Sequence, residues 1–308
     1  MTTPTVTIGL PVHNGENFIR QAIESVLNQS YQDFELIISD NASTDQTGRL
    51  CVELSSKDPR IRYMRCTTNI GAGPNFNGLV SQAKGRYFKW IAHDDVIAPT
   101  FLEKCIDVLE ADPTVALACP RVQFIDDSGK YLERYGSPFR TDDINPAVRF
   151  TEMLQGHRCF EVFGVIRRDL LLKTRLIGNY NHGDGVLLAH LALLGRFAQI
   201  PEHLFYSRRH QKQSMYVFGI TNPNGIRDFE AYAHWFDPKN RMGISRSFTR
   251  MLTEYFRMTW VVSLSFGDRF ACDRSLCRRF LSCWRIVAGE WKRTILEACG
   301  LSRKAIQQ

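Results

Sequence analysis

Two kinds of hydrophobic spacing take turns along the N-terminal part of the chain. "TVTIGLPV" (5–12), "FELIIS" (34–39) and "RIRYMRC" (60–66) are β-branched and apolar runs bounded by polar turns, the pattern of buried strands. Between the first two, "NFIRQAIESVLNQS" places Phe18, Ile19, Ala22, Ile23, Val26 and Leu27 at helical spacing. "DNASTDQT" then reads as loop-to-helix chemistry, with Ser43 or Thr44 capping a helix that runs through about residue 55. A helix over 75–83 closed by Gly85, the strand "RYFKWIA" and the helix "PTFLEKCIDVLEAD", with Pro99 as an early residue, complete the series. Such alternation predicts a Rossmann-like α/β fold: a mostly parallel sheet with helices on both faces.

The pattern is mixed from about 120 to 215. "VALACPRVQFID" reads as a strand, 136–148 as a polar loop, "FTEMLQ" as a helix start, and "CFEVFGVIRRDLL" as a strand leading into a helix. "DGVLLAHLALLG" is an apolar helix with Gly195 in a C-cap role, and "RFAQIPEHLFYSRRH" is strand-like. Beyond Asn224 the chain turns helical, basic and aromatic. Ligands of parallel α/β sheets bind outside the carboxyl ends of the strands. "PVHN", "DNASTD" and "HDD" each follow a strand, so three polar loops are expected at one crevice.

Composition narrows the class. With 44% apolar and 23% charged residues in 308, this is ordinary globular protein. Nine cysteines without a C-x-x-C pair indicate a reducing compartment, with neither a disulfide framework nor a zinc site. "MTTPTVTIGLPVHNG" lacks a signal peptide's basic and apolar regions, and "MTWVVSLSFG" is far too short to span a bilayer. A cytoplasmic protein is expected, peripheral on the inner membrane face at most. The net charge of +7 is uneven: from residue 241 onward, thirteen Lys and Arg face five Asp and Glu. That tail is either a helical cap with solvated arginines or a peripheral contact with an anionic membrane. No nucleic-acid module accompanies it.

The chemistry-bearing candidate is the pair Asp94–Asp95 at the mouth of a buried strand. Two anions about 5 Å apart repel by roughly 3 kcal/mol at an effective dielectric near 20, and by less than about 1 kcal/mol in water. A solvated loop therefore tolerates the pair, while a divalent cation turns its repulsion into attraction. Rival motifs fail. "GAGPNF" (71–76) is a broken dinucleotide fingerprint with Pro where a helix should open, and no Walker lysine, G-x-S-x-G or H-E-x-x-H is present. His157 and His190 stand isolated and read as satisfied core or surface residues.

"IGLPVHNGENFIRQAIESVLNQSYQDFELIISDNASTDQT", "NIGAGPNFNGLVSQAKGRYFKWIAHDD" and "GDGVLLAHLALLGRFAQIPEHLFYSRRHQKQS", taken in order, resemble the glycosyltransferase family 2 enzymes, inverting nucleotide-sugar transferases with a GT-A fold. The resemblance covers roughly residues 4–215. It implies a GT-A domain over 1–215 (nucleotide-sugar half 1–120, acceptor half 121–215) and a helical basic extension over 216–308.

It also implies roles. Asp95 would ligate Mg²⁺ or Mn²⁺, Asp94 would face the ribose or the metal's surroundings, and His210 would ligand the metal or touch the diphosphate. Arg208 and Arg209 would neutralise phosphate charge or lie on the surface. Pro11, Val12, His13 and Asn14 match the base-contacting turn, and Asp40 with Asn41 the pair that reads the base edge. Asn41 replaces an acid of the common pattern, and an amide can both donate and accept. Asp184 matches the general base for the acceptor hydroxyl, although "NHGDG" also reads as a helix N-cap. Gly183 stands where relatives often carry Glu. The Q-x-x-R-W signature of processive synthases is absent, so a single-addition enzyme is expected, acting on a glycan or lipid-linked acceptor in envelope or exported polysaccharide synthesis. The alternatives are a non-catalytic nucleotide- or glycan-binding protein on this fold and a sugar nucleotidyltransferase; the latter's Gly-rich basic loop is missing from "GLPVHNGEN".

Overall fold

The computed structural model describes residues 3–136, 140–155, 158–180, 182–218, 229–239 and 246–298; His157 and Cys299 lie outside them. In chain order the elements are β1 (Val6–Val12), α1 (Ile19–Leu27), β2 (Phe34–Asp40), α2 (Thr47–Lys57), β3 (Ile61–Arg65), α3 (Ala72–Gln82), β4 (Tyr87–Trp90), β5 (Val96–Ile97) and α4 (Phe101–Ala111). There follow β6 (Val115–Ile125), β7 (Tyr131–Tyr135), α5 (Pro146–Met153), β8 (Val165–Arg167), α6 (Arg168–Leu171), α7 (Gly183–Leu194) and β9 (Arg196–Arg208). The short α8 (Ser214–Val217) leads to α9 (Phe229–Phe236), α10 (Ser247–Val261) and α11 (Phe266–Ala298).

One sheet runs in the order β3-β2-β1-β4-β8-β6-β9-β5, with β7 beside β6. β1 pairs in parallel with β2 and β4, β2 with β3, and β6 with β9. β8 is antiparallel to both β4 and β6, so β4 and β6 point the same way. Six strands therefore point toward one rim, with carboxyl ends at Val12, Asp40, Arg65, Trp90, Ile125 and Arg208, β6 running about six residues past the level of Trp90. The expected mostly parallel sheet is present, interrupted by β8, whose antiparallel insertion the local pattern does not announce.

The sheet is covered on both faces. Ile19, Ala22, Ile23 and Val26 of α1, Cys51 and Leu54 of α2, and Phe101, Leu102 and Leu109 of α4 pack with Ile8, Leu10, Leu36 and Ile38 in one core. The other core joins Leu79 and Val80 of α3 to Phe150 of α5, Leu187, Leu188 and Leu191 of α7, and Met251, Tyr255 and Leu276 of α10 and α11. Every residue from Val186 to Leu193 is buried, as expected of a helix apolar all round. Each such leucine contributes about 1.5–3 kcal/mol by leaving water.

Several local expectations shift. α2 starts at Thr47, and neither Ser43 nor Thr44 caps it; Asp45 Oδ1 takes the Thr47 amide instead (3.0 Å). "FTEMLQ" ends a helix rather than starting one: α5 begins inside the expected loop, at Pro146, because Asn145 caps it by accepting from the Ala147 and Val148 amides. α3 ends before Gly85, at Gln82. Gly195 does follow α7, but with an extended backbone (φ −174°). A Cβ there would lie 2.7 Å from Ala116 Cβ and 2.9 Å from Thr114 O, so close approach to β6, not a left-handed turn, requires glycine.

Candidate active site

The first two loops of the rim are stitched together by their own side chains. β1 and β2 are in register to their ends, Val12 opposite Asp40. Beyond them the Asn14 amide donates to Ser43 Oγ (3.0 Å), the Gly15 amide to Thr47 Oγ1 (2.8 Å) and the Thr44 amide to Asn14 Oδ1 (2.8 Å). Asn14 and Ala42 adopt left-handed backbones (φ 54° and 57°), which Asn tolerates better than most residues. Pro11 and Val12 lie buried within the strand, leaving His13 and Asn14 exposed at the rim. His13 Nδ1 sits 2.8 Å from Asn41 O.

Asp40 and Asn41 are both buried and both already engaged. Asp40 Oδ1 accepts from the Ser43 amide (2.8 Å); its Oδ2 accepts from Tyr63 OH (2.7 Å) and pairs with Arg65 (3.3 Å). Asn41 Nδ2 donates to Asn69 Oδ1 (2.9 Å) and Gly71 O (3.2 Å), while its Oδ1 accepts from the Ile70 amide (2.8 Å). A carboxylate could accept the last bond but make neither donation. The amide at 41 thus clamps the 69–71 loop.

Asp94 and Asp95 are almost fully buried beyond β4, 8% and 4% exposed. Asp94 Oδ2 lies 2.9 Å from His210 Nε2, and Asp95 Oδ1 accepts the Arg208 amide (2.9 Å). Burial, and then the charge of Asp94, push the Asp95 carboxyl well above the ordinary carboxylate range. Burial raises Asp94 too, but the His93 charge and the His210 hydrogen bond outweigh it and hold Asp94 below that range. The hard oxygens of two adjacent buried carboxylates suit Mg²⁺ or Mn²⁺. Among the described residues Asp94, Asp95 and His210 do not form a three-ligand cluster; the donor set fits an ion held by one or two carboxylates with substrate phosphates completing its shell.

Arg208 carries this corner. It is 1% exposed. Its guanidinium donates to Asp94 O (2.9 Å), to Asp126 O and Asp127 O (3.0 Å each) and to Gln21 Oε1 (2.7 Å), and it lies over the Phe18 ring. Arg208 is thus neither a surface residue nor open to phosphate. Arg209 is half-buried, 4.0 Å over Phe124. Beneath the pair, Lys89 is fully buried between Phe101 and Phe205, donating to Trp90 O and Phe163 O. Burial pushes its ammonium down to about 7, with Cys105 and then Asp95 pulling the other way.

Asp184 comes from the helical layer. α7 connects to β9 through Gly195 alone, and its twelve residues span about 18 Å, so the helix runs back along the first half of that strand. Asp184 is not the N-cap; His182 is, and Asp184 sits in the first turn with Oδ1 accepting the Gly185 amide (2.8 Å). Gly183 is forced, since a Cβ there would lie 2.2 Å from Gly178 O; no side chain fits where relatives often carry Glu. Cys159, His182 and Asp184 bring their ligand atoms within 4.8 Å of one another, with Cys159 Sγ 3.2 Å from His182 Nε2. Both Cys159 and His182 have left-handed backbones. This grouping has no short-range sequence signature, and the expectation of no zinc site did not foresee it. His190, lower on α7, is a core residue whose imidazole burial pushes down to about 4.

The aromatic character expected beyond Asn224 appears in α9, whose place beside Asp184 the sequence did not announce. Tyr232 of α9 is close enough to feel the Asp184 charge, and Phe236 packs on Gly73, where a Cβ would lie 2.2 Å from the ring. Phe218, Tyr232 and Trp235 pack mutually. The aromatic density of "FEAYAHWF" was the available signal.

Comparison with known proteins agrees with this architecture. A family model described as "Glycosyl transferase family 2" matches residues 7–174. An uncharacterized glycosyltransferase of Rickettsia bellii is 34% identical over 161 residues, 51% of this chain but 23% of that protein, so the chain matches only about a quarter of that relative's length. Staphylococcus aureus TarS 1–349 in complex with UDP-GlcNAc superposes with a TM-score of 0.66 at 15% identity, covering 90% of this chain and 73% of that one. Mannosyltransferase PcManGT from Pyrobaculum calidifontis, in complex with GDP-Man and Mn²⁺, gives 0.54 at 15% identity over 99% and 82% of the two chains. At such identity the likeness is one of fold, the GT-A fold.

Proposed function

The chain belongs to glycosyl transferase family 2, and from that membership we propose that it is an inverting, metal-dependent glycosyltransferase. It moves one sugar at a time from a nucleoside-diphosphate sugar to a hydroxyl of a glycan or lipid-linked acceptor, in cell-envelope or exported polysaccharide synthesis at the cytoplasmic face of a membrane. The domain division that goes with this reading is a GT-A unit over 1–215 and a helical basic extension over 216–308. The observation that supports the reading is a chain of neighbours: Arg209 feels the charge of Asp95 and lies over Phe160, and the adjacent Cys159 brings its Sγ within 4.8 Å of a ligand atom of Asp184.

In this reading His13 and Asn14 receive the base, on a loop whose shape Asp40 and Asn41 maintain, while Pro11 and Val12 supply its rigid stem. Asp95 holds the divalent ion, with His210 and Asp94 at its side. Bound there, Mg²⁺ or Mn²⁺ supplies positive charge for the departing diphosphate. Asp184 accepts the proton of the acceptor hydroxyl as that oxygen attacks the anomeric carbon. The carbon–oxygen bond to the diphosphate breaks on the opposite side, and the configuration inverts. A general base contributes about 10²–10⁴-fold. The solved relatives bind UDP-GlcNAc and GDP-Man, which supports a nucleotide-sugar donor without choosing the base.

The test is a panel of UDP-, GDP- and dTDP-sugars, with and without Mn²⁺, run on the native chain, Asp95→Asn and Asp184→Asn. Asp95→Asn is expected to lose donor binding; Asp184→Asn should bind donor and lose turnover. Unchanged turnover in both would remove the assignment.

A further inference from the structure

α11 carries two apolar faces. It runs 33 residues, about 50 Å at 1.5 Å per residue. Cys272, Leu276, Cys283 and Glu290 point inward and are buried, with Val287 packed among them. Glu290 there accepts the Phe248 and Thr249 amides (2.8 and 3.0 Å) and so ties α11 to the start of α10. One inward face is all that a helix needs in order to pack on a domain.

The second face points to solvent. Phe266, Phe270, Leu281, Trp284, Trp291 and Ile295 are 86%, 65%, 68%, 49%, 43% and 58% exposed. Their spacings of 4, 11, 3, 7 and 4 residues keep them on one stripe, about 120° around the helix from the inward face at 100° per residue. Trp260 and Val261, at the end of α10 and equally exposed, stand five residues ahead of that stripe's start. Scattered exposed apolar residues are ordinary, but six on one side of a single helix mark an interaction surface.

The flank of the stripe identifies the partner. Arg274, Arg278, Arg285 and Lys292, all exposed, repeat at 4, 7 and 7 residues and form a cationic row beside it. Three acids of α11 are occupied on the protein side: Asp268 with Asn145 and Ser265, Asp273 with Thr259, and Glu290 as above. A second copy docked antiparallel on this face would bring cationic row against cationic row. No helix among the described residues is long and apolar enough to cross a membrane. We infer that the outward face of α11 lies in the interface of an anionic lipid bilayer, with the aromatic and aliphatic stripe below the headgroups and the arginine row among them. This deepens the reading above by naming where its acceptor is met, and rests on that reading for nothing else.

The experiment uses the full chain with vesicles of phosphatidylcholine alone and of phosphatidylcholine with phosphatidylglycerol. Two exposed-site variants accompany it: Leu281→Glu with Trp284→Glu, and Arg274→Glu with Arg278→Glu and Arg285→Glu, each checked for native circular dichroism. The native chain is expected to pellet with anionic vesicles and shift its tryptophan emission to the blue. Each variant should partition at least about tenfold less. Equal pelleting with neutral vesicles, no pelleting at all, or unchanged partitioning of both variants would overturn the inference. So would a concentration-dependent dimer in sedimentation velocity that Leu281→Glu dissociates. Transfer to a soluble acceptor, measured on the same preparations, separates failure of docking from failure of the proposed activity.

Discussion

The two halves of the rim are held by different means. Around β1 and β2 the loops are stitched by many small bonds, each between neighbours at the strand ends: Asn14 with Ser43 and Thr44, Gly15 with Thr47, Asn41 with residues 69–71. Around Asp94 and Asp95 one buried cation does most of the fastening, beside the His210–Asp94 bond. Arg208 connects the acidic pair to α1 through Gln21 and to the turn after β6 through the Asp126 and Asp127 carbonyls. A distributed network loses a little with each bond; a hub fails at once. That contrast places tolerance to substitution in the loops after β1 and β2 and intolerance around Asp94 and Asp95.

Arg208→Met is the largest expected effect. It leaves three carbonyl oxygens and the Gln21 amide without their partner, at about 1–3 kcal/mol for each fully buried group. A loss of about 3–5 kcal/mol in urea denaturation is expected; a loss below about 1 kcal/mol would dissolve the contrast.

Lys89, beneath the same corner, tests the hub half through pH. Its ammonium titrates at about 7 when folded, against 10.5 for a free lysine. The unfolded chain therefore binds the proton first as pH falls from about 10.5 to 7. Stability drops across that window and levels off below it. Lys89→Met removes this penalty, so the variant's stability relative to the native chain should be greatest near pH 7 and shrink towards pH 10. Urea midpoints at both pH values measure it, and a difference independent of pH would contradict the burial of a charged group.

Smaller effects belong to the stitched half. Asn41→Asp keeps the bond from the Ile70 amide and loses the donations to Asn69 and Gly71. A cost of about 1–2 kcal/mol is expected, read by thermal melting, with turnover reduced less than by Arg208→Met. Ser43→Ala, which removes one acceptor from the Asn14 amide, should cost about 1 kcal/mol.

The same division governs what the sequence disclosed. β1, β2 and β3 and the helices between them follow from local periodicity, because each strand pairs with the one just before or after it or across one crossover. The polar loops at their ends were legible for the same reason. β8 was not legible as an antiparallel insertion, since its partners β4 and β6 are chosen by the whole sheet. Arg208 in "SRRHQ" reads as a phosphate-neutralising or surface arginine until residues 21, 94, 126 and 127 are brought to it. Lys89 did carry a signal: a lysine between Phe88 and Trp90 in an apolar strand has no exposed face to choose. The Cys159–His182–Asp184 grouping depends on two non-glycine residues in left-handed conformation, which tertiary packing imposes and composition does not encode.

The central claim is that Asp184 and Asp95 act on opposite sides of one sugar carbon in a single displacement. The anomeric configuration of the first product, read by proton NMR coupling constants with an α-linked nucleotide sugar as donor, tests it most directly. The account predicts a β-linked product from the native chain and none from Asp184→Asn. A product that keeps the donor's α configuration, or one formed equally well by Asp184→Asn, would contradict it.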